Sequence, residues 1–252
     1  MQIDGWGRKP GGGEVGALQQ AYFDLVYNPL YDATTAKLSR YKALQQKCLR
    51  ALDLEKACRL LCVGLGTGNE LVAALRAAAQ IEVSGIDLSP SALASSRRKL
   101  RLMGRTADLQ IMDAAVIGHP DGSFDRVLCM HVLDFVDDPG RAVREIVRVL
   151  GPGGRFVMTL PSRLEGTGLG LSLARDEVRT ALRSGRHPLS VVADLLFKLV
   201  MGLVYVPLLA RSGHHVFSAQ QVRALFERLP VGTLAIEEEL AYQDFIVTGE
   251  KL

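Results

Sequence analysis

Cysteine is scarce in this chain and never paired: Cys48, Cys58, Cys62 and Cys129 are the four among 252 residues, with no Cys-x-x-Cys spacing. That excludes a disulfide-stapled scaffold and the usual zinc ribbons. Cys62 and Cys129 fall inside apolar runs, where a thiol packs as a small hydrophobe. The N-terminus lacks an apolar signal-peptide core, so the expected setting is reducing and cytoplasmic. An excess of one charge is also missing. Lys and Arg number 30 against 27 Asp and Glu, a net charge of +3 that does not call for a nucleic-acid partner. The densest basic cluster, Arg97-Arg98-Lys99 with Arg101 and Arg105, spreads round a helix and reads as a solvated face. No two of the five histidines combine with cysteine or acid at ligand spacing, and adjacent His214-His215 would chelate poorly, so no metal is expected.

What remains is a chain rich enough in apolar residues, at 48%, to bury a large core, and long enough for one α/β domain with embellishments. Its organising stretch is Leu60-Leu61-Cys62-Val63-Gly64-Leu65-Gly66-Thr67-Gly68. A short apolar run ending at glycine reads as a buried parallel strand, although periodicity alone leaves a helix open. Glycines let the chain turn sharply and let a ligand approach the backbone, where the N–H groups of the helix from Glu70 face it. Position 69, where a third glycine would complete the dinucleotide fingerprint G-x-G-x-x-G, is Asn69. A Gly-Lys-Ser/Thr phosphate loop is missing too.

Residues 1 to 16 lack periodicity and are expected to be flexible. Helices are expected over 17–26 and 34–52, the second with a stripe of Leu38, Tyr41, Leu44, Cys48 and Leu52. Having no core of their own, they should cap the glycine turn, with Tyr22, Tyr27 and Tyr31 in or beside it. Ile81 to Asp87 reads as the second strand. An acid ending such a strand holds ribose hydroxyls with its two coplanar oxygens. Asp87 is spare for that task because Ser89-Pro90 already supplies the cap and first residue of the next helix. Strands are expected at 107–111, 124–130 and 155–160, with a helix over 139–150 stopped by Gly151-Pro152-Gly153-Gly154. This alternation implies a Rossmann-like, mostly parallel sheet with right-handed crossovers. Gly64 to Gly68, Asp87, Asp113 and Met130-His131 all fall at the carboxyl ends of its strands. A helix at 219–229 and strands at 234–240 and 244–248 would close it as an antiparallel pair.

Residues 162 to 213 fit this plan least. Leu189 to Ala210 is almost wholly apolar, but Asp194 and Lys198 interrupt it and Pro207 would break its last turn. A helical lid over a greasy substrate pocket is favoured over peripheral membrane docking through 189–210, and both over a spanning helix, which would sever the closing strands from their sheet.

Asp113-Ala114, the phrase Asp121-Gly122-Ser123-Phe124-Asp125-Arg126-Val127, and Arg148-Val149-Leu150-Gly151-Pro152-Gly153-Gly154 join the Gly64-x-Gly66-x-Gly68 turn as successive motifs. Together they resemble the class I S-adenosylmethionine-dependent methyltransferases, closest to the ubiquinone and menaquinone C-methyltransferases and their small-molecule relatives. The likeness covers 57–161 and resumes at 215–252. It implies a seven-stranded sheet and S-adenosylmethionine as cofactor, leaving S-adenosylhomocysteine. By this resemblance Gly64, Gly66, Thr67 and Gly68 would wrap the methionine carboxylate and ribose, and Asp87 would hold the ribose hydroxyls with Leu88 against adenine. Asp113 would accept from the adenine amino group, Ala114 would line the ring, and Met130 and His131 would lie beside the sulfonium. Apart from the resemblance, the aromatic rings ahead of the glycine turn, Tyr31 among them, could contact a bound methionine or substrate group, although packing onto the sheet is the favoured reading. Where the family often carries an acid two residues before the first glycine, this chain has Cys62.

His131 is the best-placed base if the acceptor must lose a proton, as its side chain titrates near neutrality when unperturbed; packing beside the cofactor without titrating is the other reading. His187, His214 and His215 could serve instead. The expected function is methyl transfer to a small, lipophilic acceptor such as a quinone-type ring, a lipid headgroup or a secondary metabolite. A non-catalytic regulator or scaffold that binds the same cofactor is the rival, and an NAD oxidoreductase is disfavoured by Asn69.

Overall fold

The computed structural model describes residues 25, 28, 32, 35, 39–56, 59–162, 175, 179, 187, 192, 196 and 216–252. The expected flexible start, the 17–26 helix, Tyr22, Tyr27, Tyr31, Cys58, His214, His215 and nearly all of 162–213 lie outside them. Helix α1 (Ser39–Leu52) leads into β1 (Arg59–Val63), α2 (Asn69–Ala77), β2 (Glu82–Asp87), α3 (Pro90–Leu102) and β3 (Asp108–Ile111). Then come β4 (Phe124–Cys129), α4 (Pro139–Val149), β5 (Leu150–Pro161), α5 (Ala219–Ala224), β6 (Val231–Glu239) and β7 (Asp244–Lys251).

The seven strands form one sheet in the order β3-β2-β1-β4-β5-β7-β6. The first five pair in parallel, and β7 runs antiparallel to both β5 and β6. Alternate residues of each central strand therefore face opposite sides. Leu61, Val63, Val127, Cys129, Phe156 and Met158 pack under α4 and α5; Leu60, Cys62, Leu128, Met130 and Val157 pack under α1, α2 and α3. Each such side chain removed from water contributes about 1.5–3 kcal/mol.

The helices start where their caps put them. Ser89 accepts from the Ala92 N–H at 3.1 Å with Pro90 in the first turn, and Asp138 accepts from the Arg141 N–H at 2.8 Å ahead of Pro139. Ser218 and Gln221 cap α5 reciprocally. The closing strands run three residues beyond their expected bounds, β6 at its start and β7 at its end, and two elements differ more. Helix α5 stops at Ala224 and gives way to tight turns through Leu229, the residue before Pro230. Strand β5 begins at Leu150 rather than 155: Leu150 pairs with Phe124 and Arg155 with Arg126, so Gly151 to Gly154 loop out as a bulge inside the strand instead of ending before it.

Of the expected α1 stripe, Tyr41, Leu44, Cys48 and Leu52 are buried, and Leu38 lies outside the described residues. The Arg126 guanidinium, 7% exposed, reaches off β4 to donate to the Leu52 carbonyl at 2.6 Å and the Asp53 carbonyl at 3.3 Å. It thereby satisfies carbonyls that the end of α1 leaves open. Lys47 bridges from α1 to Glu237 and Glu239 on β6 at 2.7 and 2.8 Å. Among the described residues no helix is long and apolar enough to cross a membrane. Val192 and Leu196, the described residues of the apolar segment, are helical and exposed.

Candidate functional site

The turn after β1 holds Gly64, Gly66 and Gly68 at φ of 62°, 54° and 83°, the left-handed region that favours glycine. The three have different reasons to be glycine. A Cβ on Gly64 would stand 2.2 Å from Val132 Cγ2, and one on Gly68 would stand 2.5 Å from Ser96 Oγ. At Gly66 it would meet nothing within 4 Å. The outer glycines admit neighbouring side chains, whereas the middle one turns its backbone toward open space. The Gly66 N–H donates to Asp87 Oδ2 at 2.7 Å, and its carbonyl accepts from Ser96 Oγ at 3.1 Å.

Asp87 ends β2, and its other oxygen accepts from the Ser89 N–H at 2.8 Å. These two backbone bonds orient the carboxylate. Leu88 beside it is 55% exposed, and Ile111, paired across from Asp87 at the end of β3, is 61% exposed. Asp113 is exposed, and one of its oxygens accepts from the Ala115 N–H at 2.8 Å. Ala114 is buried with the core cluster, and Met130 closes the end of β4, also buried.

Thr67 does not face this opening with its side chain. It is 1% exposed, and its hydroxyl donates to Asp32 at 2.5 Å. Lys99 reaches the same knot, donating to Asp32 and Asn69 at 2.8 and 2.7 Å. Asn69 donates in turn to Asp32 and Thr35. Asn28 extends the contact to Ser89 and Ser91 at 2.9 and 3.0 Å. Residues ahead of α1 thus clasp the glycine turn by polar side chains. The expectation that Thr67 wraps a ligand therefore passes to its backbone, and Lys99, read as part of a solvated face, is a member of the clasp. Asp32 carried no local signal, since its partners lie 35 to 67 positions away.

On the other flank, Tyr41 from α1 donates its hydroxyl to Glu70 in the first turn of α2, with Gln45 at 3.3 Å from the same oxygen. Burial pushes the Glu70 carboxyl above its usual range, against the pull of its own backbone N–H, of His131 and of Lys99. Glu70, Cys62, Gly64 and Met130 line a small cavity under the turn. Cys62, standing where an acid was expected, is 2% exposed, and burial raises its thiol to about 12.

His131 follows Met130 and takes a left-handed φ of 53°, held there by its N–H donating to Thr159 Oγ1 at 3.0 Å. Its ring stacks on Tyr242 at 5.2 Å between centroids and lies 6.4 Å from Tyr41. Its Nε2 lies 2.6 Å from Asp244 Oδ2. Asp244, Tyr242 and the role of Tyr41 escaped the sequence reading. The described His187 is exposed and has no described place in this cluster.

A sheet in this order with β7 alone reversed, a glycine turn without a phosphate-loop lysine, and a carboxylate ending β2 define the methyltransferase class of nucleotide-cofactor fold. An open-faced middle glycine beside an oriented carboxylate fits an adenosyl cofactor. A family described as a methyltransferase domain matches residues 61–158. The demethylmenaquinone methyltransferase of Thermus thermophilus is 37% identical over 133 residues, 52% of this chain and 60% of that protein. The ubiquinone biosynthesis O-methyltransferase of Alkalilimnicola ehrlichii is 31% identical over 193 residues, 71% of this chain and 74% of that protein. The chain thus spans well under the whole length of the first and about three quarters of the second. Among solved structures, a methyltransferase of Thermotoga maritima, described as a possible histamine N-methyltransferase, shares the fold at a TM-score of 0.60 with 17% identity, over 92% of this chain and 99% of that one. The chain belongs to the class I S-adenosylmethionine-dependent methyltransferases.

Proposed function

We propose that the protein transfers a methyl group from S-adenosylmethionine to a small, lipophilic acceptor, a quinone-type ring, a lipid headgroup or a secondary metabolite, and releases S-adenosylhomocysteine. The observation that supports this reading is the Gly66–Asp87 hydrogen bond, which joins the glycine turn after β1 to the carboxylate that ends β2 at the carboxyl edge of the sheet. In this reading Gly64, Gly66 and Gly68, with the Thr67 backbone, hold the methionine end, and Asp87 takes the ribose hydroxyls. Leu88 and Ala114 flank the adenine, Asp113 accepts from its amino group, Met130 and His131 border the sulfonium, and Tyr31, outside the described residues, is a further cofactor contact.

The cofactor brings a methyl group already activated for in-line displacement, so the protein's task is largely to position and to exclude water. His131 stands at the end of β4, where an acceptor's proton can be taken up. For the segment 162–213 the favoured role is a lid over a greasy pocket, with peripheral membrane contact through 189–210 as the alternative, in a protein we read as cytoplasmic.

Calorimetric titration of the full chain with S-adenosylhomocysteine, beside NADH, tests the cofactor. Micromolar binding of the first and none of the second is expected. Binding of NADH instead would overturn the reading. Transfer of label from the methyl donor into a lipid extract separates an enzyme from a cofactor-binding scaffold.

A further inference from the structure

One carboxylate stands directly beneath the glycine turn. Glu70 lies in the first turn of α2, and with Cys62, Gly64, Leu128 and Met130 it lines the small cavity at the carboxyl ends of β1 and β4. The other walls are apolar side chains and the Cys62 thiol, which burial pushes up to about 12 and so keeps neutral. Glu70 is the single carboxylate among the described residues that line this space.

The group is prepared for charge but not neutralised. Tyr41, 3% exposed, and Gln45 both donate from α1 to its Oε1, the second at 3.3 Å, and its own backbone N–H adds a further bond. Such bonds favour the ionised form, whereas the apolar walls oppose it; burial wins, and the carboxyl is held above its usual range. The titratable and charged groups around it are Tyr41 from α1, Cys62 from β1, His131 after β4, Lys99 from α3 and Asp32 from the segment before α1. Both basic members are engaged elsewhere. Lys99 Nζ lies 2.8 Å from Asp32 Oδ2, and His131 Nε2 lies 2.6 Å from Asp244 Oδ2. Among the described residues Glu70 forms no salt bridge. A carboxylate in such a place is costly to ionise until a cation arrives beside it.

We infer that Glu70 is the counter-ion of the cofactor's α-ammonium, so that docking of the amino-acid end and loss of the Glu70 proton are one event. This rests on the methyl-transfer reading above, which sets the methionine end at Gly64, Gly66 and Gly68. The ammonium arrives already charged. The Glu70 O–H bond breaks, its electron pair stays on the carboxylate, and the proton goes to solvent. Between apolar walls the two charges attract far more strongly than in water. The pair therefore selects an adenosyl thioether that carries an amino group over one that does not, and it couples affinity to pH. The cation lowers the carboxyl's value in the complex below that of the free protein. Affinity consequently rises with pH over the interval between the two values and is level above it.

Calorimetry on the full chain and on Glu70→Gln tests this. The ligands are S-adenosylhomocysteine and the carboxypropyl thioether of adenosine, which is the same molecule without its amino group. Titrations from about pH 5 to about pH 8, in two buffers of different ionisation heat, count the protons released. The wild type should favour S-adenosylhomocysteine at least about tenfold, the size of one charge-assisted hydrogen bond. Its preference should fall as the pH is lowered, and there it should release more protons with this ligand than with the analogue. Glu70→Gln should bring the two ligands within about twofold of each other, by weakening S-adenosylhomocysteine alone, and should abolish the difference in proton release. Equal weakening of both ligands would assign Glu70 to holding the turn and overturn the proposal. So would a wild type that binds both alike, or whose preference ignores pH. Should Glu70→Gln not fold, the wild-type preference and its pH dependence decide the matter alone. Failure of the wild type to bind either adenosyl ligand would sink the methyl-transfer reading itself, and this proposal with it.

Discussion

The Gly66 N–H and Asp87 Oδ2 lie 2.7 Å apart, so the turn that follows β1 hangs on the carboxylate that ends β2. Loop and acid are one unit: whatever moves the acid loosens the turn.

Asp87→Ala should therefore lower S-adenosylhomocysteine affinity by more than the ribose contacts alone account for. It removes the acceptor of the Gly66 and Ser89 N–H groups, each a charge-assisted bond worth about 1.5–3 kcal/mol. A loss of at least tenfold by calorimetry is expected, with a lower melting temperature. An unchanged isotherm would contradict the assignment.

The glycines should separate by substitution. Gly64→Ala drives a methyl group into Val132 at a left-handed φ of 62°, and should cost about 3 kcal/mol of stability. Gly66→Ala meets no neighbour and should cost only about 1–2 kcal/mol of backbone strain. Its larger effect should be on cofactor affinity. Chemical denaturation and calorimetry on the same samples check both.

Glu70 predicts a pH dependence. Burial raises its folded-state pKa above the unfolded one, so the folded state binds more protons through the interval between the two values. That contribution to stability is full below the unfolded value near 4.5 and is lost as pH rises through the raised one. Glu70→Gln should flatten the decline and match or exceed the wild type in melting temperature at neutral pH. A wild-type-like slope in the mutant would refute this origin.

Arg126→Met should cost about 2–3 kcal/mol, because the Leu52 and Asp53 carbonyls lose a buried charged donor while the aliphatic packing is kept. Urea titration of the two proteins gives the difference directly.

The legible features of this protein were those encoded within a few residues. The Ser89-Pro90 start of α3, the α1 stripe and the apolar runs that became β1, β2 and β4 depend on neighbours three or four positions apart. Gly64, Gly66 and Gly68 stood out because a sharp turn needs left-handed residues at short spacing. Strand β5 was misjudged at its start because a bulge lets Gly151 to Gly154 sit inside a ladder that local composition would end. The bond from the Thr67 hydroxyl to Asp32 is not legible locally, because the two lie 35 positions apart, beyond any periodicity.

By itself, then, the amino-acid sequence determined the class of sheet, the turn at its centre and the acid at the end of β2. Each follows from local backbone preference and alternation of apolar residues. Only the tertiary structure decided what surrounds them. Reversal of β7 carries Asp244 to His131, the segment before α1 brings Asp32 and Asn28 onto the glycine turn, and packing of α1 sets Tyr41 against Glu70. Those contacts join residues far apart in the chain, and sidedness and strand direction, which put them together, exist only once the sheet has formed.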